Sequence, residues 1–325
     1  MPPRVLVTRH VYPAAIAILQ EAGCVVDYHD SRDGMTPEQL GRRVRHADGL
    51  LCQLTDPIPA ELLAGADKLQ VISQIAVGHD NIDIAAASAR RIVVTNTPDV
   101  LTEATADLTL ALMLAVARRL PEAERFLRAG SWQRWEIDLL CGNDVHGATL
   151  GIVGFGRIGR AVARRARGFR MRVLYAARNP APPEVERELE ARQVPLDMLL
   201  QRSDYVSLHM PLSPATEHLI GVAQLARMKP TAFLINTARG PVVDERALIA
   251  ALEEGLLAGA GLDVFEREPA VPAELLALPN VVALPHVGSA TVAVRTRMCA
   301  IAARDCAAVL TGERPEHPVN PEVLE

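Results

Sequence analysis

Short apolar runs rich in β-branched residues alternate with helical stretches along most of this chain, and this alternation is the strongest constraint on its fold. Between Arg4 and Asn96 the β-type runs are RVLVT, CVVDY, GLLCQL, LQVISQIAV and IVVTN, with helix-type segments between them. Strands separated by helices of that length form right-handed βαβ units and therefore a parallel sheet. This first series contains no G-x-G-x-x-G motif, so we assign it no nucleotide.

A second series of the same kind follows the first. Its β-type runs, TLGIVGF, RVLYAA, DYVSLHM, AFLINTA, AGAGLDVF and NVVALPH, predict a six-stranded doubly wound sheet. One long helical stretch from about Leu101 to Ala129 joins the two series, and the tail from Ala290 onward is again helical. Because a terminal helix can fold back on the first domain, we predict an α/β protein with a discontinuous first domain, residues 1–99 and 289–325, and an inserted second domain, residues 100–288.

Length and composition support two globular domains and exclude several classes of function. The chain has 325 residues, of which 49% are hydrophobic and 22% charged. A net charge of -5 and a pI near 6.0 argue against binding to nucleic acid or to an anionic membrane. The amino terminus lacks the apolar core of a signal peptide, and the apolar run TLALMLAVA is too short to span a bilayer. We therefore expect a cytoplasmic protein that acts on a small molecule, with this run as a buried helix.

The cysteines predict neither a disulfide framework nor a zinc site. Their number is odd and no CxxC pair is present. We expect no metal, and reduced core residues at Cys24, Cys52, Cys141, Cys299 and Cys306.

The glycine motif GFGRIG follows directly on the apolar run TLGIV and opens the helical run RAVARRARGF. In that setting Gly154, Gly156 and Gly159 permit a tight turn and a close approach of the backbone to a pyrophosphate at the helix N-terminus. The motif alone is weak, and a glycine-rich turn without a ligand is the alternative. Its position between a strand and a helix indicates that the second domain binds a dinucleotide.

The end of the next strand predicts which dinucleotide is bound. An Asp or Glu that accepts a hydrogen bond from the ribose 2′-hydroxyl of NAD is expected about 20 residues after the glycines. At that spacing this chain has Ala177 followed by Arg178. A guanidinium offers charge-assisted donors to phosphate oxygens, so we predict NADP, with NAD as a weaker possibility. The alternative is a solvated arginine at a strand end.

Three residues at the ends of later strands supply further chemistry, since ligands of open α/β sheets bind at such ends. They are Arg239 in NTARG, Glu268 in EREP and His286 in PHVGSAT. Taken singly, each has an ordinary structural explanation. Together they match the reduction of a 2-keto acid: a bidentate cation for the substrate carboxylate, a proton donor for the carbonyl oxygen, and a carboxylate that keeps the donor charged.

A series of motifs resembles the D-isomer-specific 2-hydroxyacid dehydrogenases, and more closely their glyoxylate and hydroxypyruvate reductase branch. The motifs are VGHDNID, NTPDVLTEATADL, TLGIVGFGRIG, HMPLSPATEHLI, INTARGPVVDE, GLDVFEREP and LPHVGSAT, and the resemblance as a whole covers the chain from about Arg4 to Glu313. The resemblance implies two Rossmann-like or flavodoxin-like doubly wound parallel-sheet domains, with the dinucleotide-binding domain inserted into the substrate domain. It also implies a homodimer, an expectation that the apolar helix from Leu108 to Leu120 supports.

The resemblance implies roles for individual residues. Arg239 would orient the substrate, His286 would be the general acid, and Glu268 would hold His286 protonated. The substrate would also contact Val77 and Gly78, through their N–H groups, and Ser289. Asp263 would meet the nicotinamide carboxamide. The implied cofactor-binding set is Gly78, Leu101, Thr105, Gly154, Phe155, Gly156, Arg157, Ile158, Gly159, Ala177, Arg178, Asn179, His209, Met210, Pro211, Thr216, Thr237, Ala238, Arg239, Asp263, His286 and Gly288.

Some positions depart from the family pattern. His79 stands where the family often has tyrosine, and it would alter the pocket or face solvent, the latter being the simpler interpretation. Leu139 stands where the branch commonly has an aromatic residue, which weakens the substrate assignment within the branch. Trp132 and Trp135 are retained, and we interpret them as packing residues.

Other functions stay open at this stage. A dehydrogenase of another D-2-hydroxy acid, or one that oxidises phosphite, would have the same motifs. A binding protein that senses a dinucleotide and acts as a corepressor would have the same fold. The absence of a long disordered or basic segment argues against the corepressor, as does Arg178, because a redox sensor of that type is expected to prefer NAD.

Overall fold

The structure is a computed structural model that describes residues 1–325. The chain forms two compact units. Unit 1 consists of Met1–Leu101 and Ser289–Glu325, and unit 2 of Thr102–Gly288. Each unit contains its own parallel sheet with helices, which confirms the predicted fold class.

A five-stranded parallel sheet forms the centre of unit 1. Its strand order is β2-β1-β3-β4-β5, the flavodoxin-like order. The strands are β1 (Arg4–Val7), β2 (Val25–Tyr28), β3 (Gly49–Cys52), β4 (Val71–Gln74) and β5 (Val93–Thr95), and the helices between them are α1 (Pro13–Glu21), α2 (Pro37–Val44), α3 (Ala60–Ala64) and α4 (Ile84–Ala89).

A seven-stranded parallel sheet forms the centre of unit 2. Its order is β12-β11-β10-β9-β6-β7-β8, which is the Rossmann order with one further strand. The strands are β6 (Thr149–Val153), β7 (Arg172–Ala176), β8 (Ala191–Gln193), β9 (Tyr205–Leu208), β10 (Phe233–Asn236), β11 (Gly259–Leu262) and β12 (Val281–Ala283). The helices are α5 (Thr102–Ala117), α6 (Leu120–Arg128), α7 (Arg157–Ala166), α8 (Pro183–Leu189), α9 (Leu196–Arg202), α10 (Val222–Leu225), α11 (Glu245–Glu253) and α12 (Ala273–Ala277).

The last helix, α13 (Val292–Leu310), belongs to unit 1, where it packs against α1 and against β3, β4 and β5. Thr291 caps its N-terminus by accepting from Val294 N–H at 3.1 Å. Beyond it the tail is no longer α-helical, contrary to the expectation for the whole segment from Ala290. Three short 3-10 helices complete the structure: Arg167–Phe169, Gly240–Val242 and Pro321–Leu324.

The core of unit 2 lies on both faces of its sheet because successive side chains of a strand point to opposite faces. Ile152 belongs to one apolar cluster, with residues of α5 and α7, and its neighbour Val153 belongs to another, with residues of α9 and α11. Burial of each such side chain contributes about 1.5–3 kcal/mol. The double layer holds the strand ends, and the loops that follow them, in fixed positions.

Several predictions from the sequence were wrong in detail. The second sheet has a seventh strand, β8, which is too short to give a recognisable pattern. The long helical stretch is two helices. Arg119 adopts a left-handed φ of 52°, which ends the first helix, and α6 then begins with Pro121 in its first turn. Cys141 is exposed, whereas the other four cysteines are buried. Trp132 and Trp135 are 54% and 73% exposed rather than packed.

The apolar run in α5 is a largely buried helix, as predicted, with Leu110, Leu112, Met113 and Val116 in the core of unit 2. A helix so buried offers little surface for a dimer, so this helix does not itself support the expected homodimer, which stays a prediction. None of the helices has the length and apolar character needed to cross a membrane.

Candidate active site

The glycine turn after β6 is built from positions where a side chain would not fit. Gly154 has a φ of +91°, and a Cβ there would lie 2.6 Å from the carbonyl carbon of His209. A Cβ on Gly159, inside α7, would lie 2.3 Å from the carbonyl oxygen of Gly154. These two glycines therefore allow the strand, the turn and the helix to approach one another closely.

The same turn fits an anionic ligand at the start of α7. A Cβ on Gly156, the residue that precedes α7, would meet no heavy atom within 4 Å, so this side of the turn is open. The first turn of the ten-residue helix contains no acidic side chain. The partial positive charge of a helix N-terminus is thus unopposed there, which suits the pyrophosphate of a dinucleotide. Phe155 is buried, so only its backbone is available to such a ligand.

The loop after β7 carries Arg178, which is exposed and makes no hydrogen bond or ion pair within the chain. Ala177 precedes it, and its carbonyl oxygen accepts from Nε2 of Gln193 at 3.0 Å. Asn179 follows and is also exposed. The loop therefore presents a cation, with no carboxylate at the position where the ribose-binding acid of NAD-type units lies.

His209, after β9, has its backbone against the glycine turn and its side chain against Ser207, with 2.8 Å between Nε2 and the serine oxygen. Burial lowers the pKa of this imidazole to about 3, so it is neutral at physiological pH. Met210 is buried and Pro211 exposed. The hydroxyl of Thr216 donates to the carbonyl of Pro211 at 2.7 Å and so fixes the loop that follows.

The segment after β10 is held by Asn236, which is 1% exposed. Its Nδ2 donates to the carbonyl of Arg239 and its Oδ1 accepts from Ala238 N–H, both at 3.0 Å. Thr237 contacts Thr109 of α5 through their hydroxyls at 2.9 Å. These bonds fix the backbone from which the Arg239 side chain extends.

His286 and Glu268 form the most distinctive contact of the site. Nδ1 of His286 lies 2.8 Å from Oε2 of Glu268, and the other carboxylate oxygen accepts from Phe265 N–H at 3.0 Å. Burial would raise the pKa of Glu268, but the hydrogen bond and charge of His286, the Phe265 N–H and the charge of Arg239 outweigh it and lower that pKa. Glu268 is therefore ionised at neutral pH and presents an anionic acceptor to Nδ1 of His286.

Asp263, after β11, anchors the loop that carries His286. It is 1% exposed, and its two oxygens accept from the N–H groups of Val287 and Gly288, both at 2.7 Å. Burial raises its pKa, and the two N–H donors and the charge of His286 offset part of that effect. His286 has a φ of +52°, and its own N–H donates to the carbonyl of Asp263 at 2.9 Å. Such a backbone costs about 1–3 kcal/mol and persists because these bonds hold it.

Thr105 of α5 lies beside this anchor. Its hydroxyl donates to the carbonyl of Gly288 at 3.3 Å, and a Cβ on Gly288 would meet both Thr105 and Asp263. Unit 2 thus gathers at the carboxyl edge of its sheet, or next to it, the predicted residues Thr105, Gly154–Gly159, Ala177–Asn179, His209–Pro211, Thr216, Thr237–Arg239, Asp263, Glu268, His286 and Gly288.

Four predicted residues belong to unit 1: Val77, Gly78, Leu101 and Ser289. Val77 and Gly78 follow β4, and their N–H groups donate to no acceptor within the chain. Their carbonyls accept instead, that of Val77 from Asn96 at 2.8 Å and that of Gly78 from Gln74 at 3.3 Å. Two adjacent N–H groups are thus held in place at a strand end. The neighbouring Nδ1 of His79 is buried without a hydrogen-bond partner, so this side chain does not simply face solvent.

Reasoning from the sequence missed two groups that shape the site. Asn236 lies in the quoted NTARG motif, and a polar side chain at the end of a buried strand could have indicated its role in the turn. Tyr175 lies inside a strand and resembles any core aromatic residue in the sequence. Its hydroxyl contacts, described below, depend on a loop conformation that no local pattern indicates.

Comparisons with known proteins agree with this fold. The family model for the D-isomer specific 2-hydroxyacid dehydrogenase NAD binding domain matches residues 110–288. A glyoxylate reductase of Thermococcus onnurineus is 49% identical, with 100% of this chain and 98% of that protein covered. A solved structure from Thermus thermophilus has 48% identity and a TM-score of 0.91, with 97% of this chain and 99% of that chain covered.

A third relative was solved with ligands. It is an NADPH-dependent glyoxylate/hydroxypyruvate reductase of Sinorhizobium meliloti, in complex with NADP and malonate. It is 35% identical, with a TM-score of 0.87, and 98% of this chain and 97% of that chain are covered.

Fold, site and relatives together define an NAD(P)-dependent oxidoreductase with a Rossmann-type domain. The chain belongs to the D-isomer-specific 2-hydroxyacid dehydrogenases, in the branch that contains the glyoxylate reductases.

Proposed function

We propose that this protein reduces glyoxylate and hydroxypyruvate, to glycolate and D-glycerate, with NADPH as the reductant. The observation that carries the proposal is the 2.8 Å contact between His286 and Glu268, with Arg239 close enough to affect the same carboxylate. Relatives named glyoxylate reductase support this substrate class.

His286 is the proposed proton donor. A nicotinamide cofactor, when bound, would supply a hydride to C2 of the keto acid, so that charge would develop on the carbonyl oxygen that His286 protonates. Glu268 occupies Nδ1 of His286, so the transferred proton comes from Nε2. A positioned acid of this kind contributes typically 10²- to 10⁴-fold in rate. In the oxidation direction the same nitrogen acts as the base.

Arg239 and two N–H groups are the proposed carboxylate-binding groups. The guanidinium of Arg239 can bind a carboxylate through two parallel hydrogen bonds and stabilise charge on the neighbouring oxygen. In unit 1, the N–H groups of Val77 and Gly78 need an acceptor, and a substrate carboxylate supplies one. We propose Ser289 as a further substrate contact.

NADP is the proposed cofactor because Arg178 stands exposed where an acid would select NAD. A guanidinium attracts the 2′-phosphate of NADP, whereas a carboxylate would repel it. The Sinorhizobium meliloti relative, solved with NADP, supports this choice. NAD is expected to bind more weakly.

The test is a kinetic panel in which NADPH or NADH is followed by absorbance with glyoxylate, hydroxypyruvate and pyruvate, and in which phosphite is offered with NADP. We expect the highest kcat/KM with NADPH and one of the first two acids. Turnover of pyruvate or phosphite alone would replace the proposed substrate, and a higher kcat/KM with NADH would replace the proposed cofactor. Binding of NADPH without turnover of any acid would favour a dinucleotide-sensing protein.

We further propose that the protein forms a homodimer through α6 and the segment after it. This stretch exposes large apolar side chains, which monomeric proteins rarely concentrate in one place. They are Leu120, Leu127, Trp132, Trp135 and Ile137. Light scattering after size exclusion should give a dimer mass, and Trp135→Ser should shift it towards the monomer. A monomeric wild-type protein would contradict this proposal.

A further inference from the structure

Tyr175, in β7, holds one end of the loop that carries Arg178. Its side chain is 0% exposed. The hydroxyl accepts from Ala181 N–H at 2.8 Å and donates to Oε1 of Glu186, on α8, at 2.6 Å. A single buried oxygen therefore ties the end of the loop to the strand before it and to the helix after it.

The other end of this loop is held as well. The carbonyl of Ala177 accepts from Gln193 of β8 at 3.0 Å. Between the two anchors lie Arg178, Asn179 and Pro180, all of them exposed, and the side chains of Arg178 and Asn179 make no hydrogen bond within the chain. The backbone that carries Arg178 is thus held by the hydrogen bonds of Ala177 and Ala181 at its two ends. The Arg178 side chain itself contributes no hydrogen bond to it.

The ring of Tyr175 extends this arrangement to the glycine turn. It stacks on Phe155 with 4.0 Å between ring centroids and 15° between planes. The guanidinium carbon of Arg160, on α7, lies 6.0 Å from the Phe155 ring centroid, and its Nε donates to the Phe155 carbonyl at 3.1 Å. One stack of side chains therefore joins the turn proposed to bind the pyrophosphate with the loop proposed to bind the 2′-phosphate.

We infer that Tyr175 is a positioning residue for the choice between NADPH and NADH, acting on Arg178 through the loop it anchors. This inference rests on the proposed function. A preorganised loop spares the entropy of ordering Arg178 around a phosphate, an advantage that only the phosphorylated cofactor uses.

The test is Tyr175→Phe, which keeps the stacked ring and removes only the hydroxyl. The substitution removes both hydrogen bonds of the hydroxyl, to Ala181 and to Glu186. Because neither bond touches the cofactor, we expect only part of their loss to reach it: the KM for NADPH should rise about two- to tenfold, with the KM for NADH and both kcat values nearly unchanged. Tyr205→Phe is the matched control. Tyr205 is 1% exposed, stacks on Phe233 and donates its hydroxyl to the carbonyl of Asp144 at 2.9 Å. The Tyr205→Phe variant should lower the melting temperature by a similar amount without changing the ratio of the KM for NADPH to the KM for NADH.

A double-mutant cycle shows whether Tyr175 acts through Arg178. In the Arg178→Ala background, Tyr175→Phe should no longer change the ratio of the two KM values, because the group it positions is gone. Gln193→Leu, which releases the other anchor, should raise the KM for NADPH selectively and gives a second route if Tyr175→Phe folds poorly.

The outcomes separate this inference from the function on which it rests. If Arg178→Ala reduces NADPH selectivity but neither Tyr175→Phe nor Gln193→Leu does, the inference is wrong and the proposed cofactor stands. Equal effects of Tyr175→Phe with and without Arg178 would also overturn it. If Arg178→Ala leaves selectivity unchanged, both the inference and the assignment of NADP selectivity to Arg178 are wrong.

Discussion

Replacement of Glu268 by Gln changes the charge next to His286 at almost constant volume. In the native site each carboxylate oxygen accepts one bond, from His286 at 2.8 Å and from Phe265 N–H at 3.0 Å. A glutamine amide has a single oxygen, so it can accept from only one of these donors. The variant therefore loses the ion pair and one hydrogen bond.

The size of the effect follows from the geometry. Two unit charges about 4 Å apart attract by about 4 kcal/mol at an effective dielectric constant of about 20. The side chains of His286 and Glu268 are 26% and 25% exposed, so water screens part of this attraction. We expect about 2 kcal/mol to remain, which corresponds to a factor of about thirty in kcat/KM.

The assay is kcat/KM for glyoxylate with saturating NADPH, measured from about pH 5 to about pH 9. In Glu268→Gln kcat/KM should fall by about thirtyfold on the alkaline side of the profile, because the group that accepts from Nδ1 of His286 is no longer charged. Glu266→Gln is the control, since Glu266 pairs with the exposed His218 at 2.7 Å, and it should leave the profile unchanged. Identical profiles for Glu268→Gln and the wild type would refute the role assigned to this carboxylate.

Two further predictions concern binding and stability. Gly154→Ala should raise the Kd for NADPH at least tenfold in a fluorescence titration, because its Cβ would lie 2.6 Å from His209, whereas Gly168→Ala, which meets nothing within 4 Å, should not. A native pKa of about 3 for His209, against 6.5 when unfolded, means that only the unfolded chain takes up this proton between those values. The free energy of unfolding therefore falls as the pH drops from 6.5 towards 3. The loss reaches about 3 kcal/mol at a pH near 4.5. Urea unfolding of His209→Gln should show a smaller loss, and an equal loss would contradict the buried neutral state.

Apolar patterning predicted most of the fold, because strands buried on both faces are long continuous runs. All five strands of unit 1 and six of the seven in unit 2 follow from it. Strand β8 has only three residues, of which Arg192 is exposed, so it gives no such signal. Arg119 and Pro121 mark the break between α5 and α6, but a proline in the first turn of a helix is ordinary, so the break was not predicted.

The candidate site was predictable where chemistry follows strand ends. Arg239, Glu268 and His286 follow strands β10, β11 and β12. A cation, a carboxylate and an imidazole at successive strand ends can be recognised in the sequence alone. Their proximity in space does not follow from the sequence, since His286 lies on a loop that Asp263 holds through the N–H groups of Val287 and Gly288. The exposure of a side chain cannot be predicted from the sequence either, as the exposed Trp132 and Trp135 show. It depends on which other parts of the chain pack over that side chain.

The central claim is that His286 delivers the proton during reduction of a 2-keto acid. Single-turnover decay of NADPH absorbance with glyoxylate, in the wild type and in His286→Ala, tests it most directly when the Kd for NADPH is measured in both. The account predicts a rate lower by about 10²- to 10⁴-fold in the variant, with the Kd changed by less than about twofold. A variant that reduces glyoxylate at the wild-type rate would contradict it.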